Sequence, residues 1–141
     1  MEKAIIIYDS LFEGTIRLAK LLGAVLTSTY DVLRVDIKDV NLDKLEDFDL
    51  IILGSSPRED EGSDDFVRFY NSLAEVDIDL SKKRGAAFCP INKNGPTFCE
   101  SVDILEEELK DMGMKVGVKG FKFDGDDEAL IAKFEEWISG L

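Results

Sequence analysis

Apolar residues recur along this chain in two rhythms. Hydrophobic runs at Ala4–Tyr8, Val32–Ile37, Leu50–Gly54, Gly85–Cys89 and Lys115–Phe121 read as strands. The runs at Ala4–Tyr8 and Leu50–Gly54 are almost unbroken, as in strands covered on both faces, which places them at the centre of a sheet. Between the runs the spacing turns helical over Thr15–Leu26, Asp65–Leu73, Cys99–Met112 and Asp127–Ile138, with a short additional turn inside Leu42–Phe48. Phe66, Phe69, Tyr70 and Leu73 share one helix face, as do Leu130, Phe134, Trp137 and Ile138. Strands followed in turn by helical segments require right-handed crossovers. The pattern predicts an α/β fold with a doubly wound, five-stranded parallel sheet of order 2-1-3-4-5 and helices on both faces. No repeat or linker divides residues 1–141, which are read as a single domain.

In such a sheet, ligands sit at the carboxyl ends of the strands, where the strand order reverses. That rule singles out the loops at residues 9–15, 55–64 and 90–97. The first sets the hydroxyls of Ser10 and Thr15, together with free backbone N–H groups, at a helix start. This is an anion seat that needs no lysine or arginine. The same two residues are also ordinary helix caps, and the turn alone does not choose between the readings. Glu13 opposes an anion: a carboxylate about 6 Å from one phosphate charge costs ~3 kcal/mol at an effective dielectric of about 20. The seat therefore requires Glu13 to face solvent, with Arg17 one turn later partly neutralising it.

Charge narrows the partners. Seventeen basic against thirty acidic residues give −13, so phosphate backbones and anionic lipid are repelled and nucleic acid is excluded as a natural ligand. No apolar stretch approaches the ~20 residues of a membrane span, and Met1-Glu2-Lys3 leads straight into a strand, so a cytoplasmic protein is expected. Without histidine there is no Ser-His-Asp triad. Cys89 and Cys99 form no C-x-x-C pair and read as small buried groups rather than as a disulfide or zinc site. Neither cysteine precedes an arginine at phosphatase spacing, and the third strand ends in Gly54-Ser55-Ser56 rather than in the aspartate of a phosphorylated receiver domain.

These loops and their flanks resemble those of flavodoxins, small acidic carriers that hold FMN. The family places S/T-x-T-G-x-T after its first strand, where this chain has Ser10-Leu11-Phe12-Glu13-Gly14-Thr15. It opens the loop after its third strand with Gly-x-Ser-Thr-Trp-Gly, where this chain has Gly54-Ser55-Ser56-Pro57-Arg58-Glu59. The similarity is greatest in the last third, where Phe98-Cys99-Glu100-Ser101-Val102-Asp103-Ile104-Leu105-Glu106-Glu107-Glu108-Leu109-Lys110 runs beside the short-chain pattern F-C-x-x-V-D-x-I-E-E-x-L-K. The resemblance implies a flavodoxin-like fold, non-covalent FMN at the strand ends, and a low-potential electron carrier rather than an enzyme. It also implies a monomer that docks on basic patches of redox partner proteins, for which the acidic residues from Glu59 to Asp65 offer a surface.

The departures from the family fall on the cofactor loops. Ser10 and Thr15 match phosphate-binding positions, while Phe12, Glu13 and Gly14 replace threonine, glycine and asparagine. Arg58 stands where a tryptophan covers one flavin face, and Glu59 where a glycine peptide turns toward flavin N5. Along the loop from Pro90, Asn92 replaces the aspartate at the pyrimidine edge and Gly95 replaces the tyrosine on the other face. Losing two stacking contacts, each worth about 0.5–1.5 kcal/mol, weakens FMN binding by roughly one to two decades without abolishing it. Phe12 is either a substitute wall or a turn residue tucked against the sheet. Arg58 either stacks on the ring or remains solvated beside Glu59, Asp60 and Glu61. The remaining alternatives are a flavodoxin-like domain that has lost FMN and serves as a binding module, and an FMN-dependent reductase, for which the short loops offer no second-substrate shelf.

Overall fold

The computed structural model describes residues 1–56, 64–90, 100–123 and 125–141. Strand β1 (Glu2–Tyr8) leads into helix α1 (Glu13–Leu26), β2 (Tyr30–Asp36), a 3₁₀ turn (Leu42–Asp47) and β3 (Leu50–Gly54). Helix α2 (Asp64–Glu75), β4 (Arg84–Phe88), α3 (Glu100–Asp111) and α4 (Asp127–Ile138) follow. All strand pairs are parallel, in the order β2-β1-β3-β4, so β1 and β3 are the central strands that their unbroken apolar runs predict.

The period of two along these central strands divides the core into two layers. Ile5, Ile7, Ile51 and Leu53 pack with Phe66 and Phe69 of α2 and with Val102, Leu105 and Leu109 of α3. Ala4, Ile6, Leu50 and Ile52 face the opposite way, onto Leu18, Leu22 and Leu26 of α1 and Leu130 and Phe134 of α4. In that second layer Phe121 and Phe134 stack with ring centroids 3.9 Å apart. The α1 and α4 stripes repeat every three or four residues, so each helix buries one face and leaves its charges outside.

The expected fifth strand at Lys115–Phe121 is not a regular strand, and among the described residues the hydrogen-bonded sheet has four. Only its ends pair with β4, Lys115 opposite Arg84 and Phe121 opposite Phe88. Backbone bonds tie the ends down, Gly85 N–H to Lys115 O at 2.8 Å and Phe121 N–H to Ala87 O at 2.9 Å. Between those anchors the outer segment holds two residues more than β4, so Val116–Gly120 has to leave the ladder, in the manner of an enlarged bulge. Its apolar composition is satisfied all the same, because Phe121 is fully buried and Val116 and Val118 pack on the core.

The register sets the site. Tyr8 pairs with Gly54, and Gly54 with Phe88, so three strands end level and their loops open at one rim. Gly54 is required there because the Phe88 ring lies flush against its backbone, and a Cβ would come within 2.1 Å of Phe88 Cζ. The connection from β1 crosses one face of the sheet and that from β3 the other, which makes the β1/β3 edge the point where strand order reverses.

Candidate functional site

Buried polar side chains are costly unless paired, so where they gather is informative. Among the described residues they are Asp9, Thr15, Ser55 and Ser56, all just beyond the ends of β1 and β3 or on the first turn of α1. Asp9 N–H donates to Gly54 O and Ser55 N–H to Phe88 O, so each loop leaves the sheet already bonded to its neighbour. The Asp9 carboxylate then accepts from Leu11 N–H at 3.3 Å, from Ser56 N–H at 2.9 Å and from the Ser56 hydroxyl. Thr15 Oγ1 lies 2.9 Å from Ser56 Oγ, and the Ser55 hydroxyl donates to Ser56 O at 3.2 Å. The loops after β1 and β3 are thus joined through one buried cluster.

The start of α1 is open. Its N-cap residue Phe12 is extended and makes no side-chain cap, and Glu13 and Gly14 expose first-turn N–H groups without partners among the described residues. By contrast α4 is closed by Asp126, whose carboxylate accepts from Ala129 N–H at 2.8 Å. An uncapped helix start at the switch point fits an anion through main-chain donors and the helix dipole.

The other candidate residues of the first loop fall on both sides of this seat. Ser10, Leu11 and Glu13 are exposed, which satisfies the condition set for Glu13. Arg17 does not neutralise it: the guanidinium reaches Asp127 at 2.6 Å and the Gly125 carbonyl at 3.0 Å, across to α4. The Phe12 ring folds back over Gly14, where a Cβ would lie 2.7 Å from Phe12 Cε1 and 3.2 Å from Pro90 Cβ. The ring is half-buried and belongs to neither core layer, and the glycine at position 14 leaves it room. An open groove of about 760 Å³ beside Phe12 runs along α1 past Ile16, Lys20 and Asp127, and neither Ser55, Ser56 nor Pro90 lines it.

Ser55, Ser56 and Pro90 are buried at the rim, whereas Pro57, Arg58, Glu59, Asn92 and Gly95 lie outside the described residues, as does the acidic stretch from Glu59 to Ser63. Cys89 is fully buried but disulfide-bonded, which corrects the expectation of a simple thiol; Cys99 is also outside the described residues. Asp9 is the residue of this cluster that the loop pattern alone does not single out. The signal was present: an acid immediately after an apolar strand, in a loop proposed to seat an anion without any nearby lysine.

The family model for flavodoxin matches residues 6–137. A flavodoxin from Maridesulfovibrio salexigens is 32% identical over 146 aligned positions, covering 100% of this chain and 97% of its own. Oxidised flavodoxin 1 from Bacillus cereus has a TM-score of 0.83 at 30% identity, covering 99% of each chain. A Fusobacterium nucleatum flavodoxin solved with flavin mononucleotide shares the fold, with a TM-score of 0.77 at 18% identity over 99% of this chain and 96% of that one. The match runs from β1 to α4 and takes in the switch point with its buried cluster and open helix start: this chain belongs to the flavodoxin family.

Proposed function

We propose that this chain carries FMN at the β1/β3 rim and passes electrons between redox proteins, with no catalytic group of its own. The observation that carries the reading is the uncapped start of α1 at the switch point. Bound FMN would supply the electron chemistry, and the protein's part is to hold and orient it. Glu13 and Gly14 N–H would receive the phosphate, with the exposed Ser10 hydroxyl as an added donor. Pro57, Arg58 and Glu59 after β3, and Asn92 and Gly95 after β4, are the proposed ring contacts from the resemblance. The hydroxyls of Thr15 and Ser56 are engaged inward, which favours a weaker grip than a seat with all its hydroxyls free.

The −13 charge supports docking on basic partner surfaces and disfavours self-association, in keeping with a monomer. No helix among the described residues is long and apolar enough to cross a membrane, and we assign the protein to the cytoplasm. Nothing in the relatives favours a chain that has lost its cofactor. Titration of the purified protein with FMN is expected to quench flavin fluorescence and perturb the visible spectrum. The absence of both changes at a large excess of FMN would overturn the proposal.

A further inference from the structure

Asp9 brings a buried carboxylate to the place where an anionic ligand is expected. Its side chain is fully buried, and among the described residues no cationic side chain pairs with it, so the compensation seen there comes from the Leu11 and Ser56 N–H groups and the Ser56 hydroxyl. The Ser56 hydroxyl has one proton, and it is donated to Asp9; the 2.9 Å contact with Thr15 is therefore donated by Thr15. Both hydroxyl protons run toward the carboxylate and away from the open start of α1. A phosphate arriving there finds the Thr15 and Ser56 hydroxyls already committed toward a like charge and is left with main-chain donors, where repulsion from a buried carboxylate is weakly screened.

From this geometry we infer that Asp9 sets the charge preference of the site, cancelling most of the advantage of a phosphorylated flavin over a neutral one. Riboflavin ends in an alcohol that can donate to the carboxylate, whereas the FMN phosphate can only accept or repel at neutral pH. The inference rests on the flavin-binding reading for its ligand, but its physical content is a buried charge that opposes an anion at the start of α1. A purely structural role, in which Asp9 merely ties the two loops together, would weaken both flavins alike when Asp9 is replaced.

The test uses the full chain, its Asp9→Asn and Asp9→Ser variants, and three probes: FMN, riboflavin and inorganic phosphate. In the unaltered protein, fluorescence titration should give FMN and riboflavin affinities within about tenfold of each other, corresponding to ~1.4 kcal/mol. Either folded variant should bind FMN at least about tenfold tighter, again ~1.4 kcal/mol, while riboflavin binds no tighter than to the parent. Asp9→Ser covers the case in which asparagine, turning an amide donor toward Ser56 N–H, fails to fold. Phosphate should raise the Tm of the variants more than that of the parent, the difference between proteins removing the general stabilisation by phosphate salts.

A parent preference for FMN of a hundredfold or more overturns the inference, and so does an unchanged FMN-to-riboflavin ratio in a folded variant. Equal phosphate responses in parent and variants overturn it as well. If neither flavin binds but phosphate separates the variants from the parent, the opposing charge of Asp9 stands and the flavin-carrier reading falls.

Discussion

The middle of the sheet and its carboxyl rim are built on opposite rules. In the middle, β1 and β3 present only aliphatic side chains to the helix layers, and packing is the whole of the interaction. One strand residue further on, the rim buries a carboxylate and three hydroxyls and holds them by directed hydrogen bonds. Burial of this kind contributes little net stability and is sensitive to the loss of any partner. The contrast teaches that the stability of this protein resides in the layers, while the rim gives up some of it to bury directed polar groups.

The strongest way to probe the contrast is to damage the middle. Phe134→Ala removes the partner of the Phe121 stack and is expected to cost about 3–5 kcal/mol by denaturant unfolding, while leaving the FMN-to-riboflavin ratio unchanged. Gly54→Ala attacks the boundary between the two regions. Its Cβ collides with the buried Phe88 ring, and a loss of about 1–3 kcal/mol is expected, larger than for the hydroxyl removal described next.

Thr15→Val keeps the shape of the rim and deletes one hydroxyl. It should cost about 1 kcal/mol, and a loss above ~3 kcal/mol would mean that the rim, and not the layers, holds the fold together. Tyr70→Phe tests the exception in the apolar layer beneath α2 and α3, where the Tyr70 hydroxyl is buried without a partner among the described residues and burial pushes the phenol pKa up. The variant should be as stable as the parent or gain up to ~1 kcal/mol; a clear loss would reveal a polar contact within the supposedly dry layer. The smallest effect belongs to the surface. A double-mutant cycle on Arg17 and Asp127, which are 44% and 66% exposed, should give a coupling below about 1 kcal/mol that fades with salt.

Much of the architecture was legible in the order of residues. Leu50–Gly54 and Asp127–Ile138 have the boundaries their periodicity predicts, and the two unbroken runs proved to be the central strands, because burial on both faces leaves no polar position. The last strand was misjudged for a geometric reason. Its residues are apolar enough, but pairing depends on count as well as composition, and two surplus residues between Lys115 and Phe121 are visible only against β4.

The site divides in the same way. The sequence by itself pointed to the loops that meet, since strand–helix alternation implies a parallel doubly wound sheet with its ligand rim at the strand ends, and it placed hydroxyls in those loops. Only the tertiary structure decided how those hydroxyls are used. Ser56 lies 47 positions from Asp9 and 41 from Thr15, and the direction of their protons depends on which acceptor stands within reach in space. Local pattern records which groups are buried; the partner that satisfies each of them is a long-range fact, fixed when β1 and β3 come to lie side by side.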